Sequence, residues 1–185
     1  MNVQEATTRR LPDLKERHLP ENCRETINTI LKETYGYEQF RNLEIYDDLS
    51  KGKEKLCISQ GQLIENVILE AEKAWKGETQ VDNILLTAPT GSGKSLLFQL
   101  PAIYLGKEYN LLTIVVSPLK ALIVDQVESL QELGYTRVAY ASSDLSPEQK
   151  MEVYRQVREG EIDLFYLSPE LLLSYDIKHF VGERR

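Results

Sequence analysis

Eight consecutive residues carry the most explicit chemistry in the chain: Ala88-Pro89-Thr90-Gly91-Ser92-Gly93-Lys94-Ser95. An apolar run, residues 83–87 (NILLT), precedes them, and Leu96, Leu97 and Phe98 follow with helical spacing. Strand, glycine-rich turn and helix is the setting that a phosphate-cradling loop requires. Gly91 and Gly93 let the backbone curl, so that successive N–H groups from Thr90 through Ser92 to Ser95 can meet phosphate oxygens. Lys94 can bring its charge to the β- and γ-phosphates and is the one catalytic assignment; the Ser95 hydroxyl can ligate Mg²⁺. The helix that starts there adds its positive dipole end. Ala88 stands where the common pattern has its first glycine. A plain Gly/Ser turn is the bland alternative, but the Lys-Ser pair and the preceding apolar run favour a nucleoside triphosphate.

Such a loop needs a domain to hold it. The 185 residues suffice for one domain with an ordinary core, and the 42% hydrophobic content is that of a globular chain. No apolar run reaches the length of a membrane span, and the N-terminus lacks a signal peptide's hydrophobic region. Cys23 and Cys57 show neither metal-ligand spacing nor a disulfide framework, so a cytoplasmic protein with no membrane partner is expected. Net charge is 22 − 29 = −7, which argues against a diffuse basic surface for nucleic acid. A local site built from helix termini and a few cations remains compatible with it.

In chain order, residues 1–22 read as a polar arm, in which Arg9-Arg10 is a solvated pair or a nucleic-acid contact; His18 receives no role. Residues 23–80 read as a helical segment. Ile27, Ile30 and Leu31 recur at helical spacing before Gly36. The following Tyr37, Phe40 and Arg41 are either core aromatics at a helix end or a platform on which a purine stacks. Residues 42–58 suggest a short amphipathic piece and a lysine- and glycine-containing turn. Ser59 then caps a helix with Leu63, Ile64, Val67, Ile68, Ala71 and Trp75 on one face and Gly77 at its end. Gln60, in the first turn, could read both a donor and an acceptor on adenine, or be an ordinary polar residue.

Residues 81–185 alternate between strand and helix patterns. A helix over 96–104, kinked at Pro101, leads to an apolar run at 111–116 that reads as a strand covered on both faces. Ser117-Pro118 is expected to cap the next helix, with Leu119, Leu122, Ile123, Val127, Leu130 and Leu133 inward and Gly134 as its stop. Strands are expected at 136–141 and 162–167, with a capping box at Ser146 between them and Ser168-Pro169-Glu170 after the last. The fold class is α/β, a parallel sheet flanked by helices with a helical segment before it. Ligands gather at the carboxyl ends of such strands. Ser117–Lys120 and Ser168–Glu170 therefore offer either a seat for a second, extended polyanion or simply good helix starts.

Together these pieces resemble the first motor domain of superfamily 2 helicases, most closely the RecQ-type DNA helicases. TAPTGSGKSLLFQLPA (87–102) is similar to motif I, including the alanine for the first glycine. VVSPLKALIVDQVESLQELG (115–134) is similar to motif Ia, DLFYLSPELL (163–172) to motif Ib, and YGYEQFR (35–41) to part of motif 0. The resemblance covers about residues 30–175 and implies an incomplete RecA-like P-loop domain in an ATP-driven translocase on single-stranded or partly duplex DNA. It implies ATP and Mg²⁺ at Gly91, Gly93, Lys94 and Ser95, and adenine flanked by Tyr37, Phe40 and Arg41. It further implies a nucleic-acid backbone along Ser117, Pro118, Leu119 and Lys120, and along Ser168, Pro169 and Glu170.

Two departures stand out. The family's glutamine falls three residues after the motif 0 arginine, where this chain has Glu44. Gln60 restores it, with the family's apolar spacing behind it, after an insertion of roughly fifteen residues (position 44 against position 60). Gln60 is preferred to Gln62. The chain also reaches Arg185 without an apolar strand closing in Asp-Glu; Asp163 lies at the wrong end of its strand and Asp144 lacks an adjacent glutamate. An N-terminal segment is expected, inactive alone, whose partners are the rest of a helicase chain and its second RecA-like domain. The rival readings are an RNA helicase or duplex translocase, and a non-hydrolysing nucleotide-binding interaction module.

Overall fold

The computed structural model describes residues 17–46, 55–87 and 91–173. Arg9, Arg10 and Thr90 lie outside them. The chain divides into two compact units, Met1–Asn28 with Tyr37–Pro101, and Thr29–Gly36 with Ala102–Arg185. Residues 91–95 thus group with the helical segment instead of the sheet.

Helix α1 (Glu21–Tyr35) buries Ile27, Ile30 and Leu31, and Gly36 leaves it at φ 68°, the left-handed geometry that glycine tolerates. Residues 42–58 correct the sequence reading: they form an antiparallel hairpin, β1 (Asn42–Tyr46) against β2 (Lys55–Ser59), in which Asn42 faces Ser59 and Glu44 faces Cys57. Ser59 caps α2 (Gln60–Trp75) as expected, in a full capping box with Gln62. Leu63, Ile64 and Ile68 are buried, but Trp75, placed inward by the spacing, is 48% exposed. It sits in the last turn, and the helix stops one residue later at Lys76.

Burial on α2 extends to Glu65, Glu70 and Glu72; the first two hold chain segments that pass over the helix, and Glu72 pairs with Lys76 at its end (3.4 Å). Glu65 accepts from the Leu19 amide at 3.0 Å and lies 3.4 Å from His18 Nδ1. Glu70 accepts from Arg17 (2.6 Å), Lys73 (3.0 Å) and the Asp82 amide (2.9 Å). Burial by itself pushes the Glu70 carboxyl up, but the Asp82 amide, Lys73 and Arg17 outweigh it and hold the pKa at about 2. Glu70→Gln is therefore expected to cost up to about 3 kcal/mol at neutral pH. Since the folded pKa lies below the ordinary 4.5, that contribution is complete above pH 4.5 and is lost as pH falls through about 2. Denaturant melts of both proteins between pH 7 and pH 2 should show the gap closing; a gap independent of pH would refute it.

Residues 83–87 form no strand, contrary to the sequence expectation, and Leu85 is 92% exposed. An apolar run becomes a strand only when a ladder pairs it, and no described strand lies beside this one. Helix α3 (Leu96–Tyr109) continues through Pro101 for eight residues, beyond the expected end at 104. Pro101 to Gly106 are all buried, and this packing outweighs the roughly 3 kcal/mol that an interior proline costs.

The second unit holds a parallel sheet in the order β3-β5-β4, from β3 (Thr113–Val116), β4 (Val138–Ala141) and β5 (Leu164–Leu167). Only the central strand β5 is buried throughout; β3 is half-buried and Val116 exposed, so the expectation of two covered faces fails for β3. Helix α4 (Lys120–Glu132) packs on β4 and β5, and α5 (Pro147–Arg158) on β4. Ala139, Ala141, Tyr154, Val157, Ile162, Phe165 and Leu167 form one core cluster. The Ser146–Gln149 capping box opens α5 as read from sequence. Helix α4 does not start at Ser117-Pro118. Ser117 Oγ accepts from the Leu119 amide at 3.3 Å, closing a turn, and Leu119 is still extended as the N-cap. Ile123, Val127 and Leu130 point inward, whereas Leu119, Leu122 and Leu133 are exposed. A single turn, α6 (Pro169–Leu172), follows β5.

Candidate functional site

Gly91 (φ 79°) and Gly93 (φ 77°) take the left-handed geometry that the turn needs. The Leu97 amide donates to the Lys94 carbonyl (3.1 Å) and the Gln99 amide to the Ser95 carbonyl (2.9 Å), which fuses the turn to the start of α3. Lys94 is exposed, not sunk in the core. Ser92 Oγ is buried without a hydrogen-bond partner among the described residues. An orphaned hydroxyl in a curled, glycine-rich turn at a helix N-terminus fits a phosphate group in its donor chemistry. Among the described residues no cluster of three His, Cys, Asp or Glu side chains could hold a metal.

The hairpin explains how residues separated by the insertion meet. With Asn42 paired to Ser59, Arg41 and Gln60 become neighbours: the Gln60 amide donates to the Arg41 carbonyl at 2.9 Å. Gln60 Oε1 accepts from the Arg41 amide at 3.2 Å, and Nε2 donates to the Ser92 carbonyl at 3.3 Å. Gln60 is 2% exposed and touches the phosphate loop closely enough that a Cβ on Gly93 would lie 2.5 Å from its Nε2. One N–H and one lone pair of its amide remain available. Gln62 is committed elsewhere: its Oε1 accepts from the Ser59 amide at 3.3 Å in the helix cap. Glu44 lies in mid-hairpin opposite Cys57. Phe40 packs on Gly61, where a Cβ would meet its ring at 2.7 Å. The Arg41 guanidinium lies 6.0 Å from the ring centre of exposed Tyr37.

In the second unit, the carboxyl ends of β3 and β5 emerge side by side, with the Ser117 amide donating to the Leu167 carbonyl at 3.1 Å. Ser117–Lys120 and Ser168–Glu170 therefore share one rim of that sheet. Lys120 pairs with Asp144 (2.8 Å) and Ser143, from the loop after β4. Sequence reasoning missed this contact; its only signal was polar residues directly after a strand. Lys120 and Ser143 hold the Asp144 carboxyl below its ordinary pKa, the Lys120 hydrogen bond contributing most. Ser168 is buried, and its hydroxyl, with Glu170's own amide and Lys120, lowers the Glu170 pKa. Pro118 and Leu119 are exposed, while Pro169 is half-buried.

Parallel strands joined by helical crossovers, with a helical segment and a glycine turn opening onto a helix, are the parts of a partial RecA-like helicase domain. The chain belongs to the DEAD/DEAH box helicase family, whose model matches residues 60–183, and within it to the RecQ-like helicases. It is 34% identical over 151 residues to the ATP-dependent DNA helicase RecQ of Synechocystis sp., covering 82% of this chain and 25% of the relative. Identity is 32% over 148 residues to the Bacillus subtilis protein of the same name (80% and 20%). It is also 32% over 152 residues to the ATP-dependent DNA helicase Q-like 5 of Arabidopsis thaliana (82% and 13%). The chain thus spans a quarter or less of each of these relatives. No helix among the described residues is long and apolar enough to cross a membrane.

Proposed function

We propose that these residues are the nucleotide-binding and DNA-binding first part of an ATP-driven DNA helicase. Gly91, Ser92, Gly93, Lys94 and Ser95, with Thr90, would hold the triphosphate, and Ser95 the Mg²⁺. Bound Mg²⁺ would neutralise developing phosphate charge. Tyr37, Phe40 and Arg41 would flank adenine, with Gln60 reading its edge. Ser117 to Lys120 and Ser168 to Glu170 would follow a DNA backbone through helix termini, fixing position without reading sequence. Hydrolysis would also require carboxylates that residues 1–185 do not supply as an Asp-Glu pair, so these residues would bind and position the triphosphate for it.

The observation that carries this reading is Gln60, buried between Arg41 and the Ser92 carbonyl, joining the adenine segment to the phosphate loop. In the full-length protein, Gln60→Ala should raise the KM for ATP roughly tenfold and erase its preference over GTP, the scale of one lost polar contact. Gln62→Ala and Glu44→Gln should leave that preference intact. Competition assays between ATP and GTP decide this, and loss of preference in Gln62→Ala instead would overturn it. Stimulation of ATP hydrolysis by single-stranded DNA above duplex DNA and RNA would support the substrate assignment; stronger stimulation by RNA would sink it.

A further inference from the structure

Strand β4 is an outer strand of its sheet, so one of its edges has no neighbour among the described residues. In a parallel pair, alternate residues direct both N–H and C=O to the same neighbouring strand. The Arg137 carbonyl accepts from the Leu164 amide at 3.3 Å, and Val138 is in register with Leu164. Arg137, Ala139 and Ala141 therefore face β5, and Val138 and Tyr140 turn their backbone groups to the open edge. Residues 136–140 line a groove of about 1020 Å³, above the roughly 300–1,000 Å³ of small-molecule sites. Val127 and Glu128 from α4 and Glu148, Glu152 and Val153 from α5 also line it.

We propose that this groove takes an extended, basic peptide segment of a partner protein, which adds to the sheet as a strand beside β4. The outward N–H and C=O groups of Val138 and Tyr140 supply backbone affinity, and alternate side chains of the guest meet the lining. Charge selects the guest. Glu128, Glu148, Glu152 and Glu161 line the groove, against Arg137, whose guanidinium is bound to Asp163 at 2.7 Å. Arg155 already neutralises Glu152 and Glu161, so the charges of Glu128 and of Glu148, which accepts from the neutral Ser146 hydroxyl at 2.8 Å, meet incoming lysines or arginines. The same carboxylates repel a nucleic acid. Helices on either side recess the edge, so it admits one strand while resisting sheet-to-sheet association.

Amide hydrogen exchange on the intact protein tests this, with a synthetic peptide alternating lysine and valine as the probe. Without peptide, the Val138 and Tyr140 amides should exchange faster than those of Ala139 and Ala141. The lysine–valine peptide should slow both outward amides roughly tenfold or more. Glu128→Lys combined with Glu148→Lys should weaken its binding roughly tenfold. A glutamate–valine peptide and a lysine–proline peptide should protect neither amide. Failure of the lysine–valine peptide to protect Val138 and Tyr140, or equal protection by the glutamate peptide, overturns the proposal. So does protection that grows with protein concentration alone, which would make the occupant a second copy of this chain.

Discussion

Replacing Lys94 by alanine is expected to remove DNA-stimulated ATP hydrolysis from the full-length protein, by roughly a hundredfold or more in kcat. The size follows from what the ammonium would face: charge developing on a transferring phosphoryl group, where a preorganised cation counts for more than in water. Lys94 lies between Gly93 at φ 77° and Ser95, with its carbonyl bound by the first turn of α3 and its side chain exposed. A denaturant melt of the variant beside the wild-type protein separates lost chemistry from lost stability. Lys107→Ala, on an exposed position of the same helix, serves as the control and should hydrolyse ATP normally. Undiminished turnover by Lys94→Ala would refute the role given to this residue.

The parts of this site that could be read from sequence are those set by local chemistry. Ser59 and Ser146 cap helices because a hydroxyl two or three residues before free amides has few better partners, and both caps are present. Gly36, Gly77 and Gly134 mark helix ends with positive φ for an equally local reason. The two glutamines differ in position: Gln60 reaches the Ser92 carbonyl, whereas Gln62 closes the helix cap on Ser59. What escaped depends on distant partners. The hairpin of β1 and β2 carries no Asn-Gly or Asp-Gly signal, and its alternation over five-residue strands is short. Residues 83–87 have strand composition but no ladder. Glu65 and Glu70 look like a solvated helix face until residues 17–19 and 82 cross it. The early start expected for α4 failed because Ser117 spends its hydroxyl on a turn before the helix begins.

Arg137→Ala is expected to destabilise the sheet that carries the proposed DNA rim by about 3 kcal/mol, because it strands a buried carboxylate. Asp163, at the amino end of β5, is 2% exposed and accepts from Arg137 through both oxygens at 2.7 Å and from the Tyr135 hydroxyl at 2.8 Å. Burial first, then Asp163, raises the Tyr135 pKa far enough to keep it a neutral donor. Gly106 of α3 closes over the carboxylate so tightly that a Cβ there would lie 2.3 Å from its Cγ. Without Arg137, a buried carboxylate keeps one neutral partner and no counter-charge. Breaking such a pair costs about 3–5 kcal/mol, and the lower end applies because the Arg137 side chain is 44% exposed. Arg137→Lys should recover only part, since an ammonium cannot bind both oxygens in one plane. Denaturant midpoints with unchanged slopes measure the effect. The double variant Arg137→Ala with Asp163→Ala should cost less than the sum of the singles, because the stranded charge is gone. An Arg137→Ala loss within about 0.5 kcal/mol, or strict additivity in the double variant, would mean that Asp163 is not a structural pin. The pin also accounts for the sequence: Asp163 sits at the amino end of its strand, away from Ser117 and Ser168 at the carboxyl ends, so a charge needed for the fold stays clear of the rim proposed for DNA.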